Sequence, residues 1–288
     1  MSTSPVGVIG SGTMGGSIAH QVAMSGYDVK LLDVSQPALS KAVERIKTWT
    51  EASVARGKTS EQDAKNILSR ISATTDFGQL KDCKFTIEAV FEDLKIKEDV
   101  FSQIDAILPQ DAILATNTSS MSITVLAEYT KRPAKVVGMH FFNPPQIMKL
   151  VEVVRGFKTG DDTVAETMEF ARSLGKEPIE VKRDTPGFIV NRILIPQMLE
   201  AIRVVEEGIA TPEDVDKAIR LGLNAPMGPF ELQDYTGVDI GLNVVDHFYD
   251  EFRNDRWAAP LLLRDLVRAG RLGRKVGAGW YDYPPEQK

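Results

Sequence analysis

The chain has 288 residues, 43% hydrophobic and 26% charged, the make-up of an ordinary globular protein and not of a disordered, collagen-like or disulfide-scaffold chain. Its formal net charge of -6, from 40 acidic and 34 basic residues, supplies no field that would gather phosphate backbones, so nucleic acid is not an expected partner. No apolar run is long enough to span a bilayer, and the length fits two modest domains or one large one.

The opening reads strand, glycine turn, helix, strand. Val6-Gly7-Val8-Ile9-Gly10 is a short apolar run, Met14, Ile18 and Val22 recur at helical spacing, Gly26 closes that helix, and Val29-Lys30-Leu31-Leu32 leads into Asp33. Lys30 is the first basic residue, so the amino terminus has neither the charged start of a secretory signal nor an arginine-rich transit face. Residues 36–56 and 60–70 read as two polar, exposed helices, more than a simple crossover needs. Apolar segments at 71–75, 85–90, 112–116 and 135–142 alternate with helical stretches, as parallel strands joined by crossovers do. Residues 150–154 and 178–181 supply two further strands. The lone Cys83 can form no intrachain disulfide and is read as a small core residue, which suits a reducing compartment. A soluble, cytoplasmic protein is expected.

After Val181 the periodicity changes, and nothing up to about Arg271 reads as a strand. Thr185 is placed to cap a helix with Pro186 at its first position, and Gly208 to stop it. Thr211-Pro212-Glu213-Asp214 repeats the start signal, and Leu262, Leu266 and Ala269 mark a late helix. The expected architecture is an α/β domain, 1–184, with a doubly wound, mostly parallel sheet, followed by an all-helical domain, 185–288.

Gly10-Ser11-Gly12-Thr13-Met14-Gly15 is a G-x-G-x-x-G between a predicted strand and a predicted helix. The first glycine permits the tight turn, the second lets backbone approach a pyrophosphate, and the third lets helix sit close on strand. Asp33 ends the next strand, where a carboxylate can accept hydrogen bonds from both ribose hydroxyls and repel a 2′-phosphate. The nearest following arginine is Arg45, so NAD(H) is favoured over NADP(H). The alternative is a glycine turn of another α/β fold with Asp33 facing solvent.

Of three histidines, His20 and His247 belong to no reactive-looking cluster. His140 differs, since it ends an apolar strand just before Phe141-Phe142-Asn143-Pro144-Pro145, at the carboxyl end where open α/β sheets bind ligands. Glu152 is an acid inside the apolar run Leu150-Val151-Glu152-Val153-Val154. If the diproline loop turns the chain back, the two side chains meet and form a general acid–base pair; otherwise they are an unrelated buried histidine and an edge-strand glutamate. Thr116-Asn117-Thr118-Ser119-Ser120-Met121-Ser122 also follows a strand, and its polar groups exceed what one helix cap needs, pointing to ligand contacts. Asn191 lies on an otherwise apolar helix and must bond either to protein or to ligand. No cysteine cluster or paired-histidine motif indicates a metal, and Met121, Met139 and Met148 are read as core filling.

These motifs closely resemble the L-3-hydroxyacyl-CoA dehydrogenase family, its single-function bacterial 3-hydroxybutyryl-CoA dehydrogenases in particular. The resemblance covers essentially the whole chain and rests on residues 8–15, 117–120, 138–145, Asp184-Thr185-Pro186-Gly187-Phe188-Ile189-Val190-Asn191-Arg192 and Pro226-Met227-Gly228-Pro229-Phe230. It implies a Rossmann NAD-binding domain, a helical domain that mediates homodimerisation, an active site in the cleft between them and an acyl-CoA substrate. By resemblance His140 is the catalytic acid/base, Glu152 orients it, and Ser119 and Asn191 contact the substrate's 3-oxygen region. It also implies cofactor contacts from Gly10, Gly12, Thr13, Met14, Gly15, Asp33, Glu92, Lys97, Asn143 and Lys275, although side-chain chemistry alone reads Glu92, Lys97 and Lys275 as solvated charges. Coenzyme A phosphate contacts fall in the excursion after Asp33, with Arg56 and Lys58 as candidates.

Overall fold

In the computed structural model, which describes residues 4–283, the chain forms two compact units, Met1–Phe188 and Ile189–Lys288. The first runs β1 (Val6–Ile9), α1 (Thr13–Met24), β2 (Val29–Leu32), α2 (Gln36–Ala55), α3 (Glu61–Ser69), β3 (Ile71–Thr74), β4 (Phe85–Glu88) and α4 (Leu94–Ile107). It continues with β5 (Ile113–Thr116), α5 (Ile123–Glu128), β6 (Val136–Phe141), β7 (Leu150–Val154), α6 (Asp161–Ser173) and β8 (Glu177–Val181). All eight strands fall where apolar runs and turn residues place them.

The strands form one sheet in the order β3-β2-β1-β4-β5-β6-β7-β8, parallel throughout except for the antiparallel β6–β7 pair. The chain winds outward from β1 through β2 to β3, then returns beside β1 as β4 and winds the other way. That reversal opens a crevice outside the carboxyl ends of β1 and β4, where such sheets bind ligands. Both faces of the sheet are covered, which is why its inner strands read as continuous apolar runs. On one face Val8 and Leu31 pack with Ile18 and Val22 of α1 and Leu39 and Ile46 of α2; on the other Ile9 and Leu32 cluster with Phe101, Ile104, Ile123 and Leu126.

The exposed-helix reading of the excursion is corrected for α2. Leu39, Ala42, Ile46 and Thr50 are buried at helical spacing, so a narrow stripe seats this otherwise polar helix on α1. Its start is capped by Ser35, whose hydroxyl accepts from Ala38 N, and that of α3 by Ser60, which accepts from Asp63 N.

The second unit is helical: α7 (Val190–Glu206), α8 (Pro212–Gly222), α9 (Pro229–Thr236), α10 (Val238–Phe252) and α11 (Leu261–Arg268). Ile202, Phe230, Val238 and Leu263 form one apolar cluster and Leu199, Val245, Phe248 and Trp257 another. Thr211 caps α8 as expected, its hydroxyl accepting from Asp214 N. Buried Asp216 of α8 accepts the Phe230 and Glu231 amides at the start of α9 and the Tyr281 hydroxyl, and burial holds its carboxyl above the usual range. The helix start expected at Pro186 lies later, at Val190, because Gly187 (φ +76°) and Phe188 (φ +50°) take left-handed backbone that no α-helix accepts.

Candidate active site

The glycine loop joins β1 to α1. Gly10 has φ +98°, and a Cβ there would stand 2.5 Å from the Ala89 carbonyl oxygen; a Cβ on Gly15 would stand 1.8 Å from that of Gly10. The protein's own packing therefore demands both glycines. At Gly12 a Cβ would meet nothing within 4 Å, so the small residue there leaves open space rather than relieving a clash. Gly12 is the N-cap of α1 and gives no side-chain cap, and no acidic residue stands in the first turn, which Thr13 and Met14 begin. A helix amino terminus with free amides facing open space fits the diphosphate of a dinucleotide.

Asp33 follows β2 beside this loop. Its Oδ2 accepts from both the Ser11 amide (2.7 Å) and the Ser11 hydroxyl (2.8 Å), and its Oδ1 from Ser35 N (2.9 Å), so the carboxylate is held in place against the glycine loop. Arg45 is nearer the loop than its sequence distance implies: its Nη2 donates to Ser11 O at 2.9 Å and to Gly12 O at 3.2 Å.

At the carboxyl ends of β4 and β5 the solvated reading of Lys97 is overturned. Lys97 is 1% exposed and its Nζ lies 2.7 Å from Oε1 of the fully buried Glu88 and 3.7 Å from Glu92 Oε2. Glu88 also accepts from Val90 N and the Thr116 hydroxyl, each at 2.7 Å. Sequence reasoning missed Glu88, although an acid ending the strand Phe85-Thr86-Ile87 is the same signal that singled out Glu152.

Much of the polar excess after β5 goes to the protein itself. Thr116 bonds Glu88, Asn117 Oδ1 accepts from Phe141 N (2.9 Å), the Thr118 hydroxyl donates to Glu92 (3.0 Å), and Ser122 caps α5. Ser119 gives its amide to Glu92 Oε1 at 3.2 Å, while its hydroxyl bonds no group among the described residues.

His140 and Glu152 stand directly opposite each other in the β6–β7 register, where side chains share a face. His140 Nδ1 lies 2.7 Å from Glu152 Oε2, with the glutamate fully buried and the histidine 6% exposed. Accepting at Nδ1–H, the carboxylate sets the tautomer that leaves Nε2 as the base. The rings of Phe142 and Phe188 flank the imidazole at 4.6 and 5.5 Å between centroids.

The loop after β6 is tied down from two sides. Buried Lys176 donates to the carbonyls of Pro145 and Met148, and burial lowers the affinity of its amine for a proton. Asn143 is exposed and its bond to Pro144 is cis; Met148, expected in the core, is 41% exposed because it lies on this loop.

On the other side Gln146 Nε2 lies 3.2 Å from His20 Nδ1, while His20 Nε2 lies 3.0 Å from the Thr50 hydroxyl. That hydroxyl donates to Ile46 O, so it must accept from Nε2–H, and Nδ1 must accept from the amide. A second ring proton would face the Gln146 donor. Burial accordingly lowers the pKa of His20 from 6.5 to about 4. In the unfolded chain His20 protonates first, so stability is complete above pH 6.5 and falls as pH drops toward 4, by about 3 kcal/mol in all. Urea midpoints of the wild type should fall over this window, and His20→Gln should flatten the slope; an unchanged slope would contradict a neutral His20.

Arg56 and Lys58 are exposed in the turn after α2. In the second unit Asn191 is half-buried in the first turn of α7, and Lys275 pairs with Asp239 at 2.6 Å. Cys83 is buried in the core, its thiol pushed up to about 11 by desolvation.

Residues 5–185 match the 3-hydroxyacyl-CoA dehydrogenase NAD binding domain, and residues 187–283 match the 3-hydroxyacyl-CoA dehydrogenase C-terminal domain. The chain is 46% identical over 276 residues to a 3-hydroxybutyryl-CoA dehydrogenase of Clostridioides difficile, covering 96% of this chain and 98% of that one. It is 42% identical over 289 residues to a 3-hydroxyadipyl-CoA dehydrogenase of Escherichia coli, spanning all of this chain and 61% of the relative. Among solved structures, (S)-3-hydroxybutyryl-CoA dehydrogenase from Ralstonia eutropha superposes with a TM-score of 0.95 at 42% identity, over 98% of this chain and 100% of that one. With a glycine loop after β1, an aspartate bonded to that loop and a His–Glu pair near the carboxyl end of β6, and with both family domains matched, the chain belongs to the 3-hydroxyacyl-CoA dehydrogenase family.

Proposed function

We propose that this chain is an NAD-dependent oxidoreductase interconverting (S)-3-hydroxyacyl-CoA, 3-hydroxybutyryl-CoA foremost, and the corresponding 3-oxoacyl-CoA. The observation that carries the reading is the buried 2.7 Å His140–Glu152 pair, with His140 near the carboxyl end of β6 and the dinucleotide loop at the carboxyl end of the parallel strand β1. The nicotinamide, when bound, takes or gives the hydride. In oxidation His140 Nε2 accepts the proton of the 3-hydroxyl; in reduction the imidazolium returns it to the 3-oxygen. Glu152 holds the ring's orientation and tautomer throughout. Ser119 and Asn191 are assigned to the 3-oxygen, where negative charge accumulates in reduction, and the free Ser119 hydroxyl supports its share of that role. Gly10, Gly12, Thr13, Met14 and Gly15 are assigned to the diphosphate, Asp33 to the ribose, Glu92, Lys97, Asn143 and Lys275 to further cofactor contacts, and Arg56 and Lys58 to coenzyme A phosphate.

The test is NADH consumption with acetoacetyl-CoA and longer 3-oxoacyl-CoA thioesters, each beside its free acid. Activity on free acids with none on thioesters would favour the rival reading, a hydroxy-acid dehydrogenase on this framework; no turnover at all would favour a cofactor-binding protein without catalysis. With Asp33 at the ribose, kcat/KM for NADH should exceed that for NADPH by about tenfold or more, and Asp33→Ala should narrow the gap. Comparable wild-type efficiency with NADPH would refute that role.

The second unit is assigned to homodimerisation. Ile193, Leu221 and Leu261 on its helices and Ile209 and Leu223 in the turns after α7 and α8 are each more than three-fifths exposed, apolar groups of the kind obligate interfaces cover. Light scattering at micromolar concentration should give twice the chain mass, and a single-chain mass would count against it. A cytoplasmic location is assigned on the free buried thiol and on the bacterial relatives.

A further inference from the structure

Arg45 has no part in the roles above, yet its head group is built into the loop assigned to the cofactor's diphosphate. α2 packs close against α1 at Gly16, where a Cβ would stand 3.4 Å from Arg45 Nη2 and 3.7 Å from Ala42 Cβ. Across that approach Nη2 donates to the carbonyls of Ser11 and Gly12. Ser11 is held from its other side as well, its amide and hydroxyl both going to Asp33. In a trans peptide the N–H points opposite to the C=O. The Gly12 carbonyl also accepts from Gly16 N at 3.0 Å, the first hydrogen bond of α1, so the helix itself orients that peptide. Fixing the Ser11 carbonyl toward α2 turns the amide of Gly12 away from it, toward the open space beside Gly12. The arrangement has a cost, since Arg45 Nε is buried without a hydrogen-bond partner among the described residues. A methionine at this position of α2 would pack against α1 without that desolvated donor, so packing alone does not account for an arginine here.

We infer that Arg45 is a positioning residue for the dinucleotide: it fixes the orientation of the Ser11–Gly12 peptide unit in the glycine loop and sets a positive charge behind the start of α1. It acts through the loop without touching the cofactor. The inference rests on the NAD(H) reading.

The experiment measures NADH binding to the complete chain by cofactor fluorescence, without substrate, for wild type, Arg45→Met and Arg45→Lys. ADP-ribose competition and thermal unfolding of the cofactor-free proteins accompany it. Arg45→Met should weaken NADH and ADP-ribose alike by about tenfold, the scale of one charge-assisted hydrogen bond. Lysine, which keeps the charge and loses the planar donor, should restore part of the affinity. Turnover at saturating NADH should stay within about twofold, placing the loss in KM, and the cofactor-free unfolding midpoint should move by less than about 2 °C. Wild-type NADH affinity in Arg45→Met would overturn the inference, as would a loss accounted for by its unfolded fraction. Failure of the wild type itself to bind NADH would instead remove the NAD(H) reading on which it stands.

Discussion

Lys97→Met should destabilise the first unit by about 3–5 kcal/mol, one of the largest single effects expected in this chain. Lys97 and Glu88 are 1% and 0% exposed and sit 2.7 Å apart. Removing the ammonium leaves a carboxylate in the interior with only the Val90 amide and Thr116 hydroxyl to replace hydration. Two neutral donors do not offset the desolvation of a full charge. The double variant Lys97→Met with Glu88→Gln removes the unpaired charge and keeps an acceptor for Val90, so it should cost less than half of the single change. Urea unfolding of the wild type, Lys97→Met, Glu88→Gln and the double variant gives the comparison. A loss below about 1 kcal/mol in Lys97→Met would show that water reaches Glu88 and that the pair is worth no more than a surface ion pair.

The contrast between Lys97 and the strands shows which parts of this molecule are legible before folding. The inner strands, β1, β2 and β4 to β7, are readable because a strand covered on both faces is a largely apolar run, whereas the edge strands β3 and β8 are partly exposed and keep only short apolar signals. The position of β4 beside β1 is a long-range pairing that no local pattern carries. Glu92 and Lys97 look like solvated charges in sequence because Lys is almost never fully buried unless paired. Its partner Glu88 is identifiable only once α4 packs on the sheet. Arg45 is hidden for the same reason: it meets Ser11 because the α2 stripe of Leu39, Ala42, Ile46 and Thr50 seats that helix against α1. The Thr185-Pro186 signal misleads because tertiary packing overrides it. Phe188 accepts an unfavourable left-handed backbone, and its buried ring lies against His140. His140 and Glu152 were legible as candidates because a polar residue inside an apolar strand needs a partner. Their meeting depended on the hairpin turn, which the antiparallel register supplies.

That register makes the dyad the other large effect. His140→Ala should lower kcat by roughly 10²–10⁴-fold, the range for removing a general acid–base group, and leave NADH binding nearly intact. Glu152→Gln should fall in the same range for a different reason. Its amide can present either an acceptor or a donor to Nδ1, so the ring loses the fixed tautomer that leaves Nε2 as the base, and the imidazolium formed during proton transfer loses its facing charge 2.7 Å away. If Glu152 works only through His140, then once the imidazole is gone the carboxylate has nothing left to orient. The double variant should then be scarcely slower than His140→Ala, far short of the product of the two losses, which is how residues acting as a unit behave. Single-turnover rates with saturating NADH and acetoacetyl-CoA isolate this from binding and product release. Near wild-type turnover in Glu152→Gln, or losses that multiply, would mean that Glu152 is a buried structural charge and that His140 takes its orientation from elsewhere.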